Sequence, residues 1–269
     1  MSYISTNNKR IAKNTLYLYL RMGLVLVVSL FTTRVVLQAL GVEDYGINNV
    51  VSGFVTMFAF LNTSMSNGVQ RFYNFSLGKK NEYSITDVYN TALQIQGILS
   101  VILLLLLETF GLWYIHAQMV IPDERFFAAL WVFHFSVFSL VLLVLQIPYS
   151  AAIMAYERMD YYAYLSIFDV LAKLGIAYAV KYATTDKLIL YGALNLLVSF
   201  ICFFLYYGYA KRQFHELKTD FKIRRRLFES MLSFSGWNVF GSFAYMVKGQ
   251  GLNLSLIHIS EPTRPEPIS

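Results

Sequence analysis

The chain has 269 residues, 57% of them hydrophobic and only 14% charged, with a formal net charge of +6 and a mean hydropathy of +0.49. Soluble domains carry about 25% charged residues, so this deficit excludes an ordinary soluble core and indicates a polytopic membrane protein. The single cysteine, Cys202, lies in an apolar stretch, which excludes a disulfide framework and a cysteine metal cluster; no metal and no cofactor are expected.

Residues 1–13 form a polar, basic start carrying Lys9, Arg10 and Lys13. The first apolar block, 11–40, is too long for the h-region of a cleavable signal and reads as a retained span. A tight outer turn is predicted at 41–46, with Gly41 and Gly46 relaxing the backbone. The second block, 46–68, returns, and 70–87 reads as a cytoplasmic connector with Lys79 and Lys80. The third, 88–115, ends in Trp113 and Tyr114, which suit the interfacial belt. A short outer loop with Pro122 leads to the fourth block, 126–149, where Pro148 would kink or stop the helix. Residues 157–160 are inward. The fifth block, 162–183, turns at 184–186, and the sixth, 188–210, comes back. Each block is near the ~20 residues a helix needs to cross a ~30 Å hydrocarbon core.

The predicted fold class is therefore all-α, a polytopic membrane helix bundle of six complete transmembrane helices plus a truncated seventh. Four segments are read: a six-helix bundle at 1–210, a basic amphipathic cytoplasmic linker at 211–229, the seventh helix opening a second bundle at 230–254, and a tail at 255–269. Pro262, Pro265 and Pro267 cannot continue a helix. The string at 255–265 also resembles translated sequencing-adapter DNA, so a non-native tail is expected, with the natural protein continuing past Leu254.

Lysine and arginine set the orientation. With the N-terminus inside, the inward segments hold Lys9, Arg10, Lys13, Arg71, Lys79, Lys80, Arg158 and the basic run from Lys211 to Arg226, whereas the outward ones hold Arg125, Lys181 and Lys187. That is the positive-inside bias. The same distribution argues against nucleic acid and for the anionic inner leaflet as what the basic run meets. The outer loops are too short for a soluble catalytic domain, and no nucleophile elbow, phosphate loop, metal-binding histidine pair or dinucleotide fingerprint is present. An enzyme is not expected.

Six ionisable residues fall inside the blocks: Arg21, Arg34, Glu108, Asp169, Lys173 and Lys248. Such residues turn into the bundle, pair, or line a wet cavity. Arg34 and Glu108 lie at similar depth, so they either pair between helices or snorkel separately to the outer interface. Asp169 and Lys173 are four apart and share a helix face; they are either a self-neutralising structural pair or a cation presented to anionic cargo. Arg21 has no obvious partner and suits an aqueous inner vestibule. Lys248 is flanked by Gly249, Gln250 and Gly251. Asn48, Ser52, Thr56, Thr63 and Asn67 recur at spacings of four or seven, as a helix-packing stripe or as a cavity wall for sugar hydroxyls. Asn90, Gln94 and Gly97 lie on about the face of Glu108. His134 reads as a packing histidine.

Several stretches resemble one family. Arg34 with Leu40-Gly41-Val42-Glu43-Asp44-Tyr45-Gly46, Ile147-Pro148-Tyr149 with Ala155-Tyr156-Glu157-Arg158-Met159, and Ser235-Gly236-Trp237-Asn238 with Gly249-Gln250-Gly251-Leu252-Asn253 are similar to segments of bacterial polysaccharide (O-antigen type) flippases. The resemblance runs over residues 1–254. It implies the multidrug/oligosaccharidyl-lipid/polysaccharide exporter superfamily, with two pseudo-symmetric six-helix bundles around a cavity that opens alternately to each side. It further implies a bacterial inner-membrane location, undecaprenyl-diphosphate-linked oligosaccharide as cargo, and a proton or sodium as a possible coupling ion. In that setting Arg21, Arg34, Lys173 and Lys248 would meet the diphosphate, Glu108 and Asp169 would be paired or coupling acids, and Asn48, Ser52, Thr56, Thr63 and Gln94 would form the polar wall. Rival readings are a cation-coupled small-molecule exporter of the same superfamily, a membrane-embedded glycosyltransferase or polymerase, and an assembly subunit without transport.

Overall fold

A hydrocarbon solvent leaves backbone amides no partner but the chain itself, so apolar stretches of this length fold as helices. The computed structural model describes the backbone of residues 2–78, 83–220, 222 and 224–260, and the side chains of residues 12–78, 83–220, 222 and 224–245. The described residues contain helices and no strand. Helix α1 (Ser2–Thr56) passes through a 3-10 turn (Met57–Ala59) into α2 (Phe60–Leu77). Helix α3 (Ile85–Leu106) passes through a π-helical turn (Leu107–Gly111) into α4 (Leu112–Gln118). Then come α5 (Asp123–Leu145), α6 (Ile147–Ala155), α7 (Met159–Lys181), α8 (Lys187–Gln213) and α9 (Arg225–Ser260).

Among the described residues, five helical stretches are long and apolar enough to cross a membrane: Ala12–Leu77, Ile85–Gln118, Asp123–Ala155, Met159–Lys181 and Lys187–Gln213. The first has 66 residues, far more than the ~20 of one crossing, and it is broken inside α1 at Gly41. The stretch predicted as a seventh span falls within α9, which is not one of the five. Large apolar side chains face outward all over the bundle, among them Leu26, Leu30 and Phe31 on α1, Leu105 on α3 and Phe204 on α8. Contiguous apolar faces of that kind mark a membrane or partner surface.

Local chemistry sets the ends. Gly41 has φ +80° and ψ 173°, a conformation open to glycine and costly for other residues. The outer turn predicted over 41–46 is therefore a one-residue break: the helix resumes with Glu43 and Asp44 in its first turn, where carboxylates meet the positive end of the helix dipole. Ser84 caps α3 in a reciprocal box, its Oγ accepting from the Asp87 amide at 3.1 Å and its own amide donating to Asp87 at 3.2 Å. Asp186 caps α8 by accepting from the Leu188 and Ile189 amides at 3.0 and 3.1 Å. Pro148 sits in the first turn of α6, where a missing N–H costs nothing, so the fourth apolar block continues to Ala155 after a turn at Gln146. The connector predicted from Gln70 is likewise helical to Leu77. Helix α9 runs across Leu254 to Ser260, and residues 261–269 of the expected tail lie outside the described residues.

Three apolar clusters hold the helices. One joins α2, α3, α6 and α8 with the start of α9 around Tyr73, Tyr89, Ile153 and Leu227. A second joins α1, the π-turn, α5 and α8 around Val51, Leu107, Phe133 and Leu188. A third joins α1, α7 and α8 around Val36, Ala177 and Val198. Helix α9 lies on α2: Ser64 and Ser242 share a hydroxyl hydrogen bond of 2.7 Å, and Gly68 admits Ser235 so closely that a Cβ there would collide with its hydroxyl.

The segment predicted as an amphipathic linker at 211–229 divides into the end of α8, an irregular run and the start of α9. The run is stitched to α3. Buried Asn90 donates to the Lys218 carbonyl at 2.9 Å and accepts from the Asp220 amide at 2.8 Å. Thr86 donates to the Glu216 carbonyl at 2.6 Å, and Arg224 meets Asp87 at 2.9 Å. Tyr156 donates to Glu216 at 2.6 Å, and Lys211 donates to the Leu217 carbonyl at 2.7 Å. Replacing Asn90 with Ala strands two backbone groups, each worth about 1 kcal/mol as a hydrogen bond. We expect a stability loss of about 1–2 kcal/mol in detergent unfolding and faster tryptic cleavage at Lys218 and Lys222. Unchanged cleavage would show that the remaining contacts suffice to hold the run.

Candidate functional site

Helices α1, α5, α7 and α8 enclose a cavity of about 490 Å³, within the range of small-molecule sites. Its charged groups are Arg21 on α1 and the pair Asp169 and Lys173 on α7. The Lys173 ammonium lies 2.8 Å from the Asp169 carboxylate, as the four-residue spacing predicts. The other Asp169 oxygen is 3.9 Å from the Cys202 thiol of α8. The Arg21 guanidinium stacks 4.8 Å from the centre of the Tyr162 ring, and its Nε is buried with no hydrogen-bond partner. The three charges sum to one net positive charge.

Part of the neutral lining bonds to its own helix. Ser52 donates to the Asn48 carbonyl at 2.5 Å, Ser136 to Val132 at 2.7 Å, Ser166 to Tyr162 at 2.9 Å and Ser199 to Asn195 at 3.0 Å, and Thr56 donates to Gly53 at 2.9 Å. Asn195 gives one amide N–H to the Tyr191 carbonyl at 2.8 Å. A hydroxyl that spends its proton on its own helix keeps its lone pairs as acceptors. The lining therefore includes acceptors for hydroxyl groups, while Arg21 and Lys173 offer charge to an anion.

Of the residues predicted to form the site, the cavity brings together Arg21, Asn48, Ser52, Thr56, Asp169 and Lys173. It leaves out Arg34, Glu108, Thr63 and Gln94. Arg34 is exposed on α1. Glu108 does not pair with it: the Glu108 carboxylate lies 3.0 Å from Nδ1 of His134, so His134 holds a polar partner rather than only packing. The reason is the π-helical turn at Leu107–Gly111, whose extra residue rotates Glu108 relative to a regular helix and aims it at α5. The polar stripe is divided by the 3-10 turn at Met57–Ala59, leaving Thr63 exposed on α2 outside the cavity. Gln94 is half-buried, with a buried Oε1 that has no partner. The Lys248 side chain lies outside the described residues.

Sequence reasoning missed Ser136 and Ser139 on α5, Gln146 after it, and Asn195, Ser199 and Tyr206 on α8. Spacings of three and four were the available signal, with Cys202 completing the α8 row. Gly192 also lines the cavity; a Cβ there would sit 3.0 Å from Phe135 and 3.4 Å from Val132. A Gly192→Leu chain should wedge α8 from α5, losing about 1–2 kcal/mol by overpacking and filling part of the cavity. Thermal unfolding checks the first effect and ligand binding the second. No family model, no curated protein and no solved structure matches the chain.

Proposed function

We propose that this chain belongs to a transporter that carries a membrane-anchored, anionic, hydroxyl-rich cargo across a bacterial inner membrane: a flippase for lipid-linked oligosaccharides of surface-polysaccharide synthesis. The observation that carries this reading is the chemistry of the cavity, a net positive charge from Arg21 and the Asp169–Lys173 pair beside a lining that includes hydroxyl and carboxamide groups. A diphosphate suits the cations, sugar hydroxyls suit the acceptors, and a prenyl tail stays in lipid. A volume of about 490 Å³ suits the diphosphate end of such a cargo rather than a whole glycan.

The finer topology belongs to the same proposal. Six crossings follow if Ala12–Leu77 crosses twice, turning at Gly41; α9 would then open a second bundle, and alternating access would rock the two bundles around the cavity. The N-terminus would be cytoplasmic, in accord with the lysine and arginine distribution. A proton or sodium gradient would drive the cycle. The cation-coupled exporter fits less well, because the carboxylate of Asp169 is already engaged by Lys173.

The test is cellular. Deleting the gene should make undecaprenyl-diphosphate-linked saccharide accumulate on the inner leaflet, and restoring it should clear the accumulation. Normal outer-leaflet delivery in the deletion strain would sink the proposal.

A further inference from the structure

A second polar surface lies outside the cavity and shares no lining residue with it. Asn67, Gln70, Arg71 and Asn74 line an open groove of about 560 Å³ on α2, bordered by Phe75 and Gly78. Their spacing of three and four puts them on one helix face. Behind them Val69 and Tyr73 are fully buried, so the polar face is the outward one. It lies at the end of the 66-residue helical stretch Ala12–Leu77, which is longer than two crossings of ~20 residues need.

Two features favour a ligand. None of the four polar side chains spends a hydrogen bond or an ion pair on any described residue. And the one cation is held in place: the Arg71 guanidinium sits 4.0 Å from the centre of the Phe234 ring on α9 and 5.3 Å from that of Phe75. Stacking occupies the faces of the guanidinium and leaves its N–H edges free for a bidentate acceptor. The Ser64–Ser242 hydrogen bond and the close seat of Ser235 on Gly68 fix α9, and with it Phe234, against α2. Among the described residues no lining residue is acidic.

We propose that this groove is a second binding site, which takes the phosphate-bearing, hydroxyl-rich headgroup of a membrane lipid. Arg71 binds the phosphate through two N–H groups. Asn67, Gln70 and Asn74 bind hydroxyls, and exposed Phe75 lies along the apolar chain. Such a site fits a lipid better than a soluble anion, because the exposed ring of Phe75 borders it. On the flippase reading, on which its role rests, the cargo headgroup docks here before or after occupying the cavity.

The test is binding, not transport. The full chain in phosphatidylcholine nanodiscs is titrated with an undecaprenyl-diphosphate-linked saccharide, and bound lipid is counted by native mass spectrometry. Arg71→Gln should weaken one binding event about ten-fold, the scale of a lost charge-assisted contact, while Arg71→Lys retains part of it. Asn67→Ala with Asn74→Ala, both at exposed positions, gives the same direction without touching Arg71. Unchanged binding in Arg71→Gln and in the double variant overturns the proposal. So does equal binding of undecaprenol, which lacks phosphate, or equal competition by free pyrophosphate, which would make the ligand soluble. Lys173→Ala separates the two sites: if it leaves export intact while Arg71→Gln loses binding, the cavity reading fails and the groove stands.

Discussion

Lys173→Ala should reduce export of lipid-linked saccharide about 30- to 100-fold, and Asp169→Asn should reduce it much less. Among the described residues, the Lys173 ammonium is the group that holds Asp169 at ion-pair distance, 2.8 Å. Removing it does two things at once. It deletes a charge-assisted contact to the cargo, worth about 2–3 kcal/mol, and it leaves a bare carboxylate facing an anionic diphosphate. With Arg21 still present, the cavity charge falls from net positive to neutral. Asp169→Asn moves the charge the other way and frees Lys173, so cargo binding should hold or tighten. The double variant, Asp169→Asn with Lys173→Ala, restores the original net charge without its second cation and should lie between the two. The measurement is inner-leaflet accumulation of the lipid-linked saccharide, normalised to the amount of folded protein in the membrane. An Asp169→Asn loss as deep as that of Lys173→Ala would remove the purely cation-based account and make Asp169 a group that must ionise during transport.

The charged part of this site was readable from sequence because an ion in an apolar block stands out against everything around it. Arg21, Asp169 and Lys173 needed no structure to be found, and the four-residue spacing of the last two gave their ion pair. The neutral part was not readable in the same way. Asn195 and Ser199 are small polar residues in an apolar helix, and whether such a row faces a cavity or a neighbouring helix depends on rotation about the helix axis, which composition does not report. Rotation also misled the partner of Glu108. A regular helix was assumed where the chain makes a π-helical turn, so the carboxylate reaches His134 rather than Arg34. The end of α2 from Gln70 onward reads in the sequence as part of a connector because Gln70, Arg71 and Asn74 crowd it. Met65, Val69 and Tyr73, at spacings of four, carried the opposing helical signal and are buried. That the chain turns near Gly41 was legible, but not that Gly41 alone breaks α1, since one residue at positive φ leaves no pattern beyond the glycine itself.

Arg125→Ala should cost about 2–3 kcal/mol of stability, more than any exposed charge elsewhere on the chain. Its guanidinium joins α5 to α1 and to the capping residue of α8. Nε and Nη2 meet the two Asp44 oxygens at 2.7 and 2.5 Å, just after the break at Gly41, and Nη1 meets Asp186 at 2.6 Å. Hydrogen bonds to charged groups are worth about 1.5–3 kcal/mol each when removed; the sum is cut because the Arg125 side chain is 24% exposed and Asp186 35%, and exposed pairs are screened by solvent. Arg125→Lys should recover less than half, since an ammonium reaches one carboxylate and lacks the planar fork that spans two. The pH dependence gives an independent check. Burial pushes the Asp186 carboxyl up, but the Arg125 guanidinium and the Leu188 and Ile189 amides outweigh it, so its pKa lies below the ordinary 3.8. A carboxylate depressed in the folded state contributes fully above its unfolded pKa, and the contribution is lost as pH falls through the folded value. The gap between native chain and Arg125→Ala should therefore be widest from neutral pH down to about pH 4 and should narrow below pH 3.8. Thermal unfolding in detergent across that range reads it directly. A gap independent of pH would mean that Arg125 stabilises this end of the bundle by packing its aliphatic stem, and the ion-pair account of how α1, α5 and α8 are tied together would fail.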